Sequence, residues 1–412
     1  MIRSCFLWCK HLLYAVTVLA LVACLAEVSL RVYDSATAQV TRRDLYDRGL
    51  ICKSWFMHHT LKPSHTFSVK NPDTGGRVRV VVNSRGGRGS DPAVPKPEGT
   101  YRIICLGDDS TFAQAIPEPE TFCAVLQAEL TGRVASTVEV INAGVPDYCP
   151  MLSYLQFRNE LMSLQPDLVV LNFDMSDIAD DYQLRRQAVM NADGRPLSCA
   201  NPALELPRSS RKSGREGMLL LPQFARQQLN SVLAERTLAE KSRSIESRRC
   251  RYLWLEDQPP DWSVHIALAL GVIGHLDDLV RSNGGRLVVT AVPAPWQVSA
   301  LASNGTGIRE QAGVPQEAHF RSRRPFETLA EFCQTHNIPF CDLSTTFQKD
   351  NHPERLYLKG AAALSTEGHA VYGRELAGYL AQQISGAPSK SPEPLSQQPQ
   401  ARLPRKSFFG DQ

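Results

Sequence analysis

The run Arg102-Ile-Ile-Cys-Leu-Gly-Asp-Asp-Ser-Thr-Phe112 restricts the possible folds more than any other stretch of this chain. An apolar segment breaks at a glycine into a small polar cluster. A strand buried on both faces reads as a continuous apolar run. In an open α/β sheet, the polar residues at its carboxyl end are where ligands bind. Further strand-like runs follow at Val138 to Asn142, Asp167 to Phe173, Arg286 to Val292 and Ile338 to Cys341. Helical patterns lie between them. Thr121 can cap a helix through about Leu130 that Gly132 stops. Met151 to Leu164, Pro325 to His336 and Gly368 to Ile384 read as helices, as does Trp262 to Arg281, with Leu268, Val272, Leu276 and Leu279 on one face. Strand–helix alternation predicts a three-layer α/β/α architecture around a parallel sheet.

The polar cluster resembles the first block of the SGNH (GDSL) hydrolase superfamily, Gly-Asp-Ser-x-Thr-Phe after a strand. Val138-Glu-Val-Ile-Asn-Ala-Gly-Val-Pro146 resembles the second block, and the resemblance makes the Gly144 N–H an oxyanion donor. Leu168-Val-Val-Leu-Asn-Phe-Asp-Met-Ser-Asp177 resembles the third, Gly-x-Asn-Asp, with Asp174 at the glycine and Ser176 at the amide donor. Leu356 to His369 resembles the last block, with Ala361, Ala362 and Ala363 where the family carries its Asp and His. The nucleophile position holds Asp109, and Ser110 sits one place late. The resemblance runs from about Val80 to Leu380. It implies an SGNH-like fold and an esterase or lipase type of activity.

Serine attacks only when a base takes its proton and a third group orients that base. Alanine does neither, and the resemblance makes His369 a structural residue opening a helix. The positions that correspond to a catalytic site are thus Asp109, Ser110, Gly144, Ser176 and His369. Another reading starts from the acids. Asp108 and Asp109 end one strand, Asp174 and Asp177 another, and Asp180 and Asp181 follow. Crowded carboxylates stay protonated or share a cation. Asp108, Asp109, Asp174 and Asp177 are the candidate ligands for Mg²⁺ or Ca²⁺, whose hard-oxygen preference they match; the alternative is no cofactor, with Asp108 capping local backbone.

With 45 Lys and Arg against 42 Asp and Glu, the net charge of +3 gives no case for nucleic acid. The 11 cysteines show no CxxC pairs, so neither a zinc site nor a disulfide framework is indicated. Arg3 and Lys10 precede an apolar stretch, residues 12–32, close to the ~20 residues that span a bilayer. The expectation is a single-pass anchor, residues 1–11 inside and the α/β domain outside, in a bacterial cell envelope. A lipoprotein signal ending at Cys24 and an ordinary cleaved signal are the alternatives.

Residues 33–99 form an N-terminal β-containing segment and linker, with a strand at Arg77 to Val82. Residues 100–384 form the α/β domain, interrupted at about 178–257 by a charge-rich insertion with an amphipathic helix at Gln223 to Glu246; 385–412 has a disordered composition. Asn83 to Gly89 and Val292 to Val298 resemble segments of membrane-anchored bacterial SGNH-like proteins. In the latter run, Trp296 and Gln297 stand with Asp174 as candidates to bind a substrate such as a sugar or acyl group, against the alternative that the Trp296 run packs inside. Three functions are consistent with these residues. They are a degenerate protein that binds an acylated glycan, a lipid or a protein partner; an active esterase or acyl-transfer enzyme with rearranged residues; and a metal-dependent hydrolase.

Overall fold

The computed structural model describes residues 10–11, 14–18, 20–29, 50–204, 250–256, 258–303 and 307–385. The helix expected at Gln223 to Glu246, most of the insertion and the tail beyond Ser385 lie outside them. The central sheet has five parallel strands: β5 (Thr100–Leu106), β6 (Thr137–Asn142), β7 (Leu168–Phe173), β10 (Arg286–Ala291) and β11 (Phe340–Asp342). Their order across the sheet is β11-β10-β7-β5-β6. The order in which strands are added therefore reverses between β5 and β7: β6 joins on one side of β5, and β7, β10 and β11 follow on the other. That is the topological switch point, where the loops leaving two neighbouring strands diverge and open a crevice.

The strands are apolar throughout because both faces are covered. Ile104, Leu106, Val169, Leu171 and Val289 face one core. Ile103, Cys105, Leu168, Val170 and Val288 face the other, as the two-residue period of a strand requires. The first core is closed by α3 (Pro150–Gln156), α4 (Asp177–Arg185), α5 (Ser263–Ser282) and α8 (Arg324–Thr335). The second is closed by α2 (Phe122–Thr131) and α10 (Thr366–Ser385). The α/β/α architecture is the expected one.

Local sequence accounts for the helix ends. The Thr121 hydroxyl accepts the Ala124 N–H, and Gly132 closes α2. Helix α3 starts at Pro150, whose missing N–H costs nothing in the first turn. It widens into a π turn at Phe157–Leu161 before a tight turn at Met162–Leu164. One expected face is corrected. In α5 the buried residues include Ala269, Val272, Ile273, Leu276 and Val280, while Leu268 is 43% exposed. Its carbonyl accepts Arg185 from the solvent side.

The N-terminal segment packs on the core. Strands β1 (Ile51–Lys53) and β2 (His59–Leu61) pair with each other, as do β3 (His65–Lys70) and β4 (Arg77–Val82). Bridges from Val82 to Arg88 and from Arg88 to Asn142 join the second hairpin to the β6 edge. The first residues of the expected insertion also belong to the core: Ile178 and Ala179 of α4 are buried, as is Cys199 at the end of a hairpin formed by β8 (Ala188–Met190) and β9 (Pro196–Cys199).

Among the described residues, one helix, α5, is long and apolar enough to cross a membrane by length and composition. Its buried stripe lies in the first core. The apolar helix Tyr14–Ser29 falls within the stretch where a span of residues 12–32 was expected. Its 16 residues give about 24 Å at ~1.5 Å each, against a hydrocarbon core of ~30 Å.

Candidate functional site: an acidic crevice at the switch point

Gly107 follows the last residue of β5 with φ +150°, and a Cβ there would lie 2.3 Å from Thr111 Oγ1. Only glycine lets the chain turn this tightly. Asp108 follows and caps the single-turn helix α1 (Asp109–Phe112), its Oδ1 accepting the Ser110 N–H at 2.9 Å. The turn is fixed from several sides. Asn142 Nδ2 donates to Thr111 O at 2.7 Å. Asn172 Nδ2 donates to Thr111 Oγ1, and Tyr372 in turn donates to Asn172. Arg88, from the N-terminal segment, donates to the carbonyls of Phe112, Ala113 and Ile116. Asp109 thus stands on a rigid platform at the carboxyl edge of the sheet.

The next two strand ends supply the walls. Gly144 follows β6, and a Cβ there would meet Phe112 N at 2.4 Å, so α1 needs that glycine for space. Its N–H donates to Asn142 Oδ1 at 3.0 Å and is not an available oxyanion donor. Asp147 takes φ +59°, a left-handed turn that aspartate tolerates. Asp174 follows β7. Its Oδ2 accepts Ser110 Oγ at 3.2 Å, and its Oδ1 accepts Ser176 N at 2.9 Å. Asp177 Oδ2 accepts the Asp174 N–H at 3.0 Å. Ser176 is buried and its hydroxyl bonds Asp180. It braces the acid loop, and the amide donor of the third block has no replacement there.

One guanidinium faces these acids. Arg251 donates to Asp180 Oδ2 at 3.0 Å and to Asp147 Oδ1 at 3.4 Å. Burial opposes its charge, but Asp180, Tyr252, Asp174 and Asp147 outweigh that and raise its pKa. Burial raises Asp108 well above the carboxylate range, helped by Asp174 and Asp109. Asp177 is raised in the same way by burial and then by Asp108 and Asp174. Asp109, partly exposed, goes from 3.8 to about 6, chiefly through burial and then Asp147; Arg251 and the Asp147 backbone N–H work against the rise. The crevice therefore holds both carboxyl donors and carboxylate acceptors near neutral pH.

A raised carboxyl pKa gives a defined sign to stability. Below the unfolded value both states are protonated and the Asp109 penalty is absent; it grows as pH rises through about 6. Asp109→Asn should be near neutral at about pH 4 and more stable than wild type by about 1–3 kcal/mol near pH 7.5, allowing for partial exposure. Urea unfolding of both proteins at the two pH values measures it. A variant less stable than wild type at the higher pH would show that the Asp109 charge is welcome.

The other sequence candidates fall elsewhere. His369 is buried, its Nδ1 accepts the Phe122 N–H at 3.2 Å, and its ring stacks on Phe122. Burial, with Arg88, lowers its pKa to about 3, so it is a neutral packing residue. Ala361 and Ala363 pack with Ala113 and Ile116, which follow α1 directly. The last-block loop thus reaches the end of α1 with no base on it. Trp296 and Gln297 correct the ligand-contact expectation. Pro295 starts a short helix, α6 (Pro295–Val298), that turns both side chains inward, and both are buried. The indole packs edge-on against Tyr252, and Gln297 Oε1 accepts the Ala294 N–H. Among the described residues no three His, Cys, Asp or Glu side chains gather as a metal-ion site. Of the four acids read as candidate metal ligands, Asp108 accepts from the Ser110 N–H, Asp174 from Ser110 Oγ and Asp177 from the Asp174 N–H.

Several residues of the crevice were missed by the sequence reading: Asp147, Arg251, Tyr252 and Tyr357. Burial raises the Tyr357 pKa, and so does Asp174. Tyr357 also lines a cavity of about 610 Å³ that Asp73, Glu354 and Lys359 border, a ligand-sized space. On the other side, His59 Nε2 donates to Pro146 O at 2.8 Å, beside Asp147. That leaves His59 Nδ1 to accept from His58 Nδ1, 2.8 Å away. Signals existed for some of these: Pro146-Asp147 is a turn pair, and Tyr252 to Leu255 is a short apolar run inside the charge-rich stretch.

No protein-family model matches the chain, and no curated protein does. Solved structures do overlap it. A lipase/acylhydrolase from Enterococcus faecalis is 13% identical, covering 68% of this chain and 96% of its own, with a TM-score of 0.37. A lipolytic protein of the G-D-S-L family from Desulfitobacterium hafniense is 13% identical, covering 68% and 98%, with a TM-score of 0.35. An acetylxylan esterase from Geobacillus stearothermophilus is 11% identical, covering 67% and 92%, with a TM-score of 0.35. Overlap this loose says nothing of chemistry, which has to come from the residues at the sheet edge.

Proposed function

We propose that this chain is an SGNH-type α/β protein that binds an acylated, hydroxyl-rich ligand without hydrolysing it, held at the membrane of a cell envelope by its N-terminal helix. One observation carries the reading. The nucleophile position is an aspartate, Asp109, facing Asp147, Asp174 and Arg251. An ionised carboxylate only accepts hydrogen bonds, and its charge opposes a developing oxyanion. What such a crevice can do is accept hydrogen bonds from hydroxyl groups, and the cavity of about 610 Å³ beside Tyr357 leaves room for a glycan-sized head.

The test is binding with retention of the acyl groups. Full-length protein in detergent should retain an O-acetylated polysaccharide. Asp109→Ala combined with Asp174→Ala should weaken that by at least about tenfold, as loss of two charged hydrogen bonds implies. Acetate release in step with protein concentration would overturn the reading. The Ser110 Oγ bond to Asp174 Oδ2 favours one second reading, an esterase with Ser110 as shifted nucleophile; acetate release abolished by Ser110→Ala would identify it.

A further inference from the structure

Six carboxyls crowd the crevice, from Asp108, Asp109, Asp147, Asp174, Asp177 and Asp180, and one guanidinium faces them. Five of the six have side-chain or backbone donors that account for them. Asp108 and Asp177 are buried and accept backbone N–H groups. Asp174 accepts Ser110 Oγ and the Ser176 N–H. Asp147 and Asp180 share Arg251, so two acids already engage the one cation. Asp109 is the exception. Among the described residues no side chain donates to it, and the Asp147 backbone N–H is its single donor.

A second unpartnered group looks into the same space. The turn Cys250–Leu255 is stapled across the end of β7: Trp254 Nε1 donates to Met175 O at 2.7 Å, and Arg251 donates to Asp180 Oδ2 at 3.0 Å. Tyr252 lies between these two anchors. Its ring packs edge-on against Trp296, centroids 4.6 Å apart, and 8% of the residue is exposed. Its phenol oxygen has Asp174 and Arg251 as its strongest electrostatic neighbours, two groups that Asp109 also faces. Among the described residues that hydroxyl makes no hydrogen bond. Buried polar groups are normally paired, so the exception calls for an explanation. A bound group that reaches both Asp109 and Tyr252 supplies one.

We propose that the ligand of this crevice carries a protonated amine, seated against Asp109 with Asp174 and the Tyr252 hydroxyl as its other acceptors. The inference rests on the hydroxyl-binding reading above and adds the charge that the ligand brings. Three arguments select an ammonium. It has three donors and no acceptor, which suits a site lined by oxygens. It brings positive charge to acids that one guanidinium does not balance, whereas hydroxyls bring none. A hard divalent cation would need several carboxylate oxygens turned to one point, and among the described residues no three such side chains gather. A glycan bearing free amino groups beside its acyl esters has this chemistry. The same excess of acid is why removing the Asp109 charge is expected to stabilise the unliganded protein.

Two glycosides of one trisaccharide, aminoethyl and hydroxyethyl, differ by an ammonium in place of a hydroxyl near neutral pH. Titration calorimetry on the full-length protein in detergent compares them. Wild type should bind the aminoethyl glycoside at least about tenfold more tightly, as one charge-assisted hydrogen bond implies. Asp109→Asn should erase that preference. Tyr252→Phe, which keeps the ring on Trp296, should reduce it by about threefold or more. Equal affinity in wild type, or none for either glycoside, with the O-acetylated polysaccharide still retained, would overturn this inference and leave the binding reading standing. Failure to bind either glycoside or the polysaccharide would remove that reading and this inference with it. A preference that survives in Asp109→Asn would place the amine at other acids and also overturn the assignment.

Discussion

Wild-type protein and its Asp109→Ser variant should both fail to turn over short acyl esters, and the same serine should gain activity only with Ala361→Asp and Ala363→His beside it. Deleting one member of a serine triad costs about 10⁴- to 10⁶-fold, and members act as a unit, so serine alone restores nothing measurable. The oxyanion side is deficient as well. Gly144 N–H is held by Asn142, and Ser176 bonds within the acid loop. One missing oxyanion donor costs about 10²- to 10³-fold. Even the triple variant should therefore be slow. Initial rates with p-nitrophenyl acetate, corrected for spontaneous hydrolysis, measure the series. Turnover by Asp109→Ser alone would mean that a base reaches this site from somewhere other than the last block.

Arg102→Met should be among the most destabilising single changes in the domain, although it lies at the opposite edge of the sheet from the crevice. Arg102 is fully buried on β5. Its guanidinium donates to Glu139 Oε2 at 2.6 Å, Leu164 O at 2.6 Å and Ala93 O at 2.7 Å, tying β6, the loop before β7 and the entry linker to one strand. Methionine fills the stem volume but leaves the half-buried Glu139 carboxylate, the buried Leu164 carbonyl and the partly buried Ala93 carbonyl without their donor. Breaking a buried pair of this kind costs about 3–5 kcal/mol. Urea unfolding near pH 7.5 should show that loss, with Arg102→Lys recovering only part, because a single ammonium cannot reach three divergent acceptors. A loss under about 1 kcal/mol would mean that water replaces the guanidinium.

The sheet and its order of elements were legible because buried parallel strands are written as apolar runs and their helices carry ordinary stops, as Thr121 and Gly132 show for α2. The blocks at the strand ends were legible because glycines at 107 and 144 are sterically required there. Other parts were not. Trp296 looked like a ligand contact because it follows a strand end. Only the tertiary structure reveals that Pro295 turns it into the core against Tyr252. Arg251 was hidden in a charge-rich stretch, its partners 71 and 104 residues away in sequence. Asn142 read as the last residue of a strand, and nothing local announced that its side chain would take the Gly144 N–H. Pairings between distant side chains decide what this crevice can do, and sequence spacing does not encode them.

The most direct measurement is the intact mass of full-length wild-type protein after exposure to a serine-directed fluorophosphonate. The carboxylate at the nucleophile position, the neutral buried His369 and the alanines of the last-block loop predict an unchanged mass. A single adduct that maps to Ser110 and disappears in Ser110→Ala would contradict the account and make this protein an esterase with a displaced nucleophile.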